Sequence, residues 1–104
     1  MSDTTIFSRR LREARLRSGL SQMALGVAAG IDESSASPRI NQYERGKHHP
    51  DALTAARLAR VLKVPSAYFA AEDDDLAELL ALWDGLEPEQ KRRLLVSVRE
   101  MSSS

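Results

Sequence analysis

The stretch RLRSGLSQMALGVAAGIDESSASPRINQYERGKHHP, residues 15–50, decides how this chain folds. Ser21 is a residue type that caps helix N-termini, and a short helix is predicted over residues 22–29. Gly30 follows at the position where helices often end in a left-handed residue. A second short helix is then predicted before Gly46. The stretch therefore contains two short helices joined by a turn.

The start of the second helix can be read in two ways. Asp32 can cap a helix that begins at Glu33, or Ser37 can cap one that begins at Pro38. Proline suits the first helical position and biases the residue before it away from helix. We therefore predict this helix from Pro38 to Arg45, after a loose turn.

Apolar residues at helical spacing predict helices, and no strands, in the rest of the chain. A first helix is predicted over residues 8–17, a fourth over 51–62 and a short fifth over 65–69. Two further helices carry the apolar sets Leu76, Leu79, Leu80, Trp83 and Leu94, Leu95, Val98, Met101. The first of these sets suits a core, and both helices suit a dimer interface. We predict an all-α fold, with a domain over residues 1–70 and a helical hairpin over residues 71–104.

Composition excludes several classes of protein. The chain has 104 residues, enough for one compact core, and it has no cysteine, which excludes disulfides and thiolate metal sites. No apolar run approaches the roughly 20 residues that span a bilayer, and the N-terminus lacks signal-peptide order. His48 and His49 have no third metal ligand nearby. We predict a cytoplasmic protein that is not an enzyme and has no cofactor, metal site or membrane contact.

The charges are unevenly distributed although the net charge is zero. Residues 1–50 carry eight Lys and Arg against five acidic residues, whereas residues 51–104 carry seven against ten. A basic half joined to an acidic half can place one face against phosphate. The same pattern also fits ordinary solvated faces.

Several short motifs together resemble a known family. GLSQ at 19–22, GI at 30–31, YERGK at 43–47 and LARVLKV at 58–64 resemble the helix-turn-helix family of phage repressors and Cro, the xenobiotic-response-element-like regulators. The resemblance covers roughly residues 8–69. It implies a five-helix repressor-like DNA-binding domain, followed here by two C-terminal helices. One helix of the pair would brace on the DNA backbone while the next enters the major groove, about 12 Å wide.

The resemblance also implies roles for individual residues. The base-reading residues would be Ser37, Pro38, Asn41 and Gln42. Asn and Gln carry a donor and an acceptor side by side, which suits bidentate bonding to adenine. The contacts to the DNA backbone would come from Gln22, Arg39, Lys47 and His48. Arg15 would form a structural salt bridge with Glu44.

The sequence departs from the family pattern at three points. The link between the Ser-Gln and Tyr-Glu motifs is about four residues longer, close to one helical turn, with the surplus near residues 32–36. It either extends the second helix of the pair or bulges the turn. Gly26 replaces a usual alanine, which permits close helix packing. Pro38 lies in the reading surface and offers only apolar contact.

These observations predict a homodimeric transcriptional regulator that binds a palindromic operator in double-stranded DNA. The alternative is an antitoxin or adaptor that binds a protein partner through the C-terminal helices.

Overall fold

The computed structural model describes residues 4–103 of the chain; residues 1–3 and 104, which fall within the two predicted domains, lie outside the described residues. Residues 4–103 form six α-helices and one 3-10 helix and contain no strand, which confirms the predicted all-α fold. The elements are α1 (Ile6–Ser18), α2 (Gln22–Ala28), α3 (Glu33–Glu44), α4 (Ala52–Leu62), the 3-10 helix (Ser66–Ala70), α5 (Asp74–Trp83) and α6 (Pro88–Ser102).

Local capping signals set the ends of α1 and α2. Thr5 and Ser8 form a reciprocal capping box at the start of α1. The Ser21 hydroxyl accepts a hydrogen bond from the Ala24 amide at 3.0 Å, which caps α2. Gly30 has a φ of +91°, a conformation that glycine adopts without the steric cost of a side chain. It turns the chain from α2 toward α3.

Helix α3 begins at Glu33, so the prediction that it begins at Pro38 is wrong. The Asp32 carboxylate accepts a hydrogen bond from the Ser34 amide at 3.2 Å and caps the helix one turn earlier. Pro38 lies inside the helix, where its missing N–H leaves the carbonyl of exposed Ser34 without a helical donor. The surplus residues therefore lengthen α3 by about one turn instead of forming a bulge.

The added turn of α3 packs directly on α2 at Gly26. A Cβ atom placed on Gly26 would lie 2.7 Å from the Cβ atom of Ala36 and 3.0 Å from its Cα atom. Ala36 is fully buried. Because only glycine allows this approach, the longer link and the glycine, two departures from the family pattern, are parts of one packing arrangement.

The core lies among α1, α2, α3, α4 and the 3-10 helix. Ile40 and Tyr43 point inward from α3, as the sequence predicts. They belong to a buried cluster with Leu11, Leu25, Leu58, Leu62, Tyr68 and Phe69. Burial of such side chains contributes about 1.5–3 kcal/mol each. This cluster fixes which face of α3 is left for solvent.

Arg10 connects α1 to the start of α5. Its guanidinium is buried and donates to the Ala71 carbonyl at 2.8 Å, to Glu13 at 3.0 Å and to Asp74 at 3.0 Å. Burial alone would lower the pKa of Arg10, but the hydrogen bonds to Glu13 and Asp74 raise it overall. The start of α5 is therefore tied to the core by a charged group.

Helices α5 and α6 bury little of their apolar surface. Ala77 is the buried residue of α5, and α6 has no buried residue. Leu76 and Leu79 are 47% and 40% exposed, so the expectation that they belong to the core is wrong. Lys91 of α6 lies 5.3 Å from the ring of Trp83, a cation–π contact between the two helices.

Within residues 4–103 no helix is both long enough and apolar enough to cross a bilayer.

Candidate nucleic-acid interface

The exposed face of α3 carries a row of polar and small side chains. Ser34, Pro38 and Gln42 are exposed and recur every four residues, which places them on one side of the helix. Of the predicted base-reading residues, Pro38 and Gln42 lie on this outward row. Ser37 and Asn41 are half-buried. Ser34 was missed by the sequence prediction because the helix was expected to begin after it; the Asp32 cap was the signal that could have revealed it.

Arg15 and Glu44 lie together between α1 and α3. The Arg15 Nε atom is 2.5 Å from Glu44 Oε2 and the Nη2 atom is 3.0 Å from Oε1, a bidentate pair whose side chains are 11% and 4% exposed. Arg15 also donates to the Leu20 carbonyl at 3.0 Å. The hydrogen bond to Glu44 raises the pKa of Arg15, against the opposing effect of burial. The pair holds α1, α3 and the segment before α2 in one arrangement.

Gln22 extends this network to the surface. Its Nε2 atom lies 3.3 Å from Glu44 Oε1 and 3.3 Å from Asn41 Oδ1. The Gln22 side chain, predicted to contact DNA phosphate, is thus held by α3 and is half-buried. Asn41 is oriented by Gln22.

A groove between α1 and the C-terminal end of α3 carries excess positive charge. Its acidic side chains are Glu13 and Glu44, which pair with Arg10 and Arg15 respectively. The groove also contains Asn41 and Gln22, and its basic side chains are Arg9, Arg12, Arg15, Arg45 and Lys47. We call it the α1–α3 groove.

Three of the groove's cations are free to meet a ligand. Arg12, Arg45 and Lys47 are exposed and form no ion pair within residues 4–103. Arg9, by contrast, lies 3.5 Å from Asp74. Arg12 and Arg45 were not among the predicted contacts; the predicted Arg15–Glu44 pair, which joins α1 to the end of α3, was the signal that could have revealed them.

The remaining predicted backbone contacts lie at different places on the surface. Lys47 faces the α1–α3 groove, whereas Arg39 and His48 are exposed outside it. An elongated site thus follows α3 from Ser34 to Lys47. It is polar along the outward row and cationic in the groove beside it.

A family described as helix-turn-helix domain matches residues 6–79 of the chain. The chain belongs to the helix-turn-helix domain family. This confirms the predicted helix-turn-helix; the narrower likeness to phage repressors and Cro stays a prediction. The match runs from the start of α1 into α5, so it includes α2, the turn at Gly30 and the lengthened α3.

A similar solved structure is the crystal structure of transcriptional regulator BswR. It is 46% identical in sequence, with a TM-score of 0.83, over 89% of this chain and 92% of that chain. No curated protein matches the chain. The similarity to BswR extends beyond the helix-turn-helix family match, since it covers a larger share of the chain.

Proposed function

We propose that this protein is a sequence-specific DNA-binding transcriptional regulator that reads the major groove with α3. The observation that carries the proposal is the outward row of α3 beside the cationic α1–α3 groove. Membership of the helix-turn-helix family and 46% identity to transcriptional regulator BswR support it. In this geometry α3 is the recognition helix and α2 braces it.

Gln42 is the side chain best suited to read a base. It is exposed on the outward row, and its amide offers a donor and an acceptor that match N7 and N6 of adenine. Pro38, one turn earlier, offers apolar contact to a thymine methyl group. The Ser34 and Ser37 hydroxyls, near the start of the helix, can donate or accept.

Contacts to the DNA backbone supply the salt-dependent part of the affinity. Lys47, Arg39 and His48 are exposed along or beyond α3, and Lys47 and Arg39 carry full positive charges. Each phosphate neutralised by a lysine or arginine releases counterions, so affinity falls as salt is added. These contacts position the protein without selecting a sequence.

The C-terminal helices provide the surface for a homodimer. Seven large apolar side chains on α5 and α6 are exposed: Leu76, Leu79, Leu82, Leu95, Val96, Val98 and Met101. A second copy that covers these side chains would place two recognition helices about 34 Å apart on a palindromic operator.

The same exposed surface also supports an alternative. An antitoxin or adaptor would use α5 and α6 to bind a different protein and retain DNA binding for its own regulation. The two proposals differ in what covers the apolar side chains.

Selection of binding sites from random duplex DNA tests the proposed function. The purified protein is expected to enrich a two-fold symmetric motif and to bind it about 10³-fold or more tightly than bulk DNA. Failure to prefer any sequence over bulk DNA at moderate salt would contradict a sequence-specific regulator.

Solution mass decides between the dimer and the alternative. A dimer is expected for the purified protein, alone and on the selected site. If the purified protein is a monomer, and affinity purification from the native cell recovers it with an equal amount of a different protein, the antitoxin or adaptor is favoured.

A further inference from the structure

We propose that the α1–α3 groove binds a backbone phosphate of DNA, and that Asn41 donates an N–H to this phosphate instead of reading a base. This inference rests on the proposed function, because it assigns part of the same DNA-binding surface. It revises the role that the family resemblance implies for Asn41. It also adds Arg12 and Arg45 to the backbone contacts.

Glu44 orients the two amide side chains beside it, Gln22 and Asn41. Its carboxylate forms a bidentate pair with Arg15 and is therefore ionised, so it can only accept hydrogen bonds. The Gln22 amide atom that lies 3.3 Å from Glu44 Oε1 must then be the nitrogen, Nε2. The chemistry of the buried ion pair thus fixes which way the Gln22 amide faces.

The orientation of Gln22 in turn fixes Asn41. Because Gln22 Nε2 is a donor, the Asn41 atom 3.3 Å away must be the acceptor, Oδ1. Asn41 Nδ2 remains, with no hydrogen-bond partner among residues 4–103. Bidentate recognition of adenine needs both atoms of the amide, and here Gln22 of α2 takes one of the two lone pairs of Oδ1 and holds that oxygen toward itself. Within residues 4–103 the polar atom of Asn41 that no protein group contacts is therefore the donor Nδ2.

The surroundings of Asn41 match a phosphate. Asn41 faces the α1–α3 groove, whereas Pro38 and Gln42 on the outward row do not line it. The exposed cations of the groove that lack ion pairs are Arg12, Arg45 and Lys47, and both of its carboxylates are already paired. A phosphodiester is an anion with acceptor oxygens only, so it complements these donors.

Two kinds of variant test the assignment. Asn41→Asp keeps the oxygen that accepts from Gln22, and it replaces the Nδ2 donor with a negatively charged oxygen that can only accept. It is expected to weaken binding about tenfold or more on selected and bulk duplexes alike, without changing the selected motif. Arg12→Ala and Arg45→Ala are each expected to reduce the slope of log K against log salt by about 1 on any duplex. Arg60→Ala, an exposed arginine of α4 outside the groove, is the control and should leave the slope unchanged.

The outcomes separate this inference from the proposed function. A changed base preference at one position in Asn41→Asp, or an unchanged affinity, would overturn the role of Asn41. Unchanged salt slopes in Arg12→Ala and Arg45→Ala would overturn the groove as a phosphate site; both side chains are exposed and unpaired within residues 4–103, so these variants should fold. If the wild type selects no motif, the proposed function fails, while the salt slopes on a random duplex still decide whether the groove binds phosphate.

Discussion

Helices α2 and α3 and helices α5 and α6 form two pairs, each joined by a four-residue connection, residues 29–32 and 84–87. The first pair is in such close contact that a methyl group on Gly26 would collide with Ala36. The second pair buries Ala77 and no residue of α6. The first pair completes its packing within one chain, whereas the second leaves apolar surface for another molecule to cover.

The largest loss of stability is expected at the ion pair between Arg15 and Glu44, which holds α3 against α1. Arg15→Ala would leave Glu44 buried without its guanidinium partner and should lower the free energy of unfolding by about 3–5 kcal/mol. Chemical denaturation measures this change. The control is Arg9→Ala, because Arg9 and Asp74 are 40% and 77% exposed and their pair should contribute about 0–1 kcal/mol. Equal losses in the two variants would contradict the structural role of the buried pair.

The next effect concerns the close approach of α2 and α3. Gly26→Ala forces the two helices apart and should cost about 1–3 kcal/mol, more than the gain of about 0.5–1 kcal/mol from replacing glycine within a helix. In Gly85→Ala the new Cβ atom would lie 3.6 Å from the Leu82 carbonyl, an ordinary contact, so no loss is expected. Thermal unfolding compares the two.

A second substitution, on the α3 side of the contact, tests the same close approach. Ala36→Gly in the Gly26→Ala background removes the methyl group that collides and should restore part of the lost stability. If Gly26→Ala cost no more stability than Gly85→Ala, the close packing of the lengthened α3 on Gly26 would be contradicted.

A substitution on α5 or α6 is expected to change the oligomeric state and to have little effect on the free energy of unfolding of a single chain. Leu95→Asp places a charge on exposed α6 and should convert the proposed dimer to a monomer, while unfolding of the monomer shifts by no more than about 0.5 kcal/mol. Sedimentation measures the mass. Leu53→Asp changes a leucine on α4 that is even more exposed, 60% against 46% for Leu95, and should leave the dimer intact. A dimer that survives Leu95→Asp would place the interface elsewhere.

The smallest effect is expected at the exposed start of α4. The Thr54 amide donates to Asp51 and lowers the pKa of that carboxyl below its ordinary value of 3.8. Because the folded state holds the ionised form, the stabilisation is present above pH 3.8 and is lost as pH falls through the lowered pKa. Asp51→Ala should therefore lower the melting temperature at neutral pH.

Acid should narrow that difference in melting temperature between wild type and Asp51→Ala. Asp51→Asn, which keeps a capping oxygen without the charge, is the control. A gap between Asp51→Ala and wild type that stays constant from pH 7 to below pH 3 would show that the charge contributes nothing.

Local signals were sufficient to predict most of the fold. Ser21 marks the start of α2 and Gly30 its end through interactions within a few residues, and the structure shows both. The start of α3 was predicted wrongly because the local preference of Pro38 was weighed without the packing of Ala36 on Gly26. That contact joins residues of two helices, so no local pattern reports it.

The site was predictable in part for the same reason. The outward position of Gln42 follows from the helical spacing of Ile40 and Tyr43, which are buried. The occupied Asn41 oxygen and the convergence of Arg12 and Arg45 depend on how α1 packs against α3. These are tertiary features, and the motifs report them only through the predicted Arg15–Glu44 pair between α1 and α3.

The outward row of α3 is expected to read base edges, and the base preference of Gln42→Ala is the decisive measurement. Site selection with this variant should yield the wild-type motif with one base pair per half-site relaxed, at a cost of about 1–3 kcal/mol on the original site. Gln90→Ala removes an exposed amide whose only role within residues 4–103 is to accept a hydrogen bond from the Glu87 amide at the start of α6, and it should leave the motif unchanged. A motif that is the same for wild type and Gln42→Ala would contradict base reading at this position of α3.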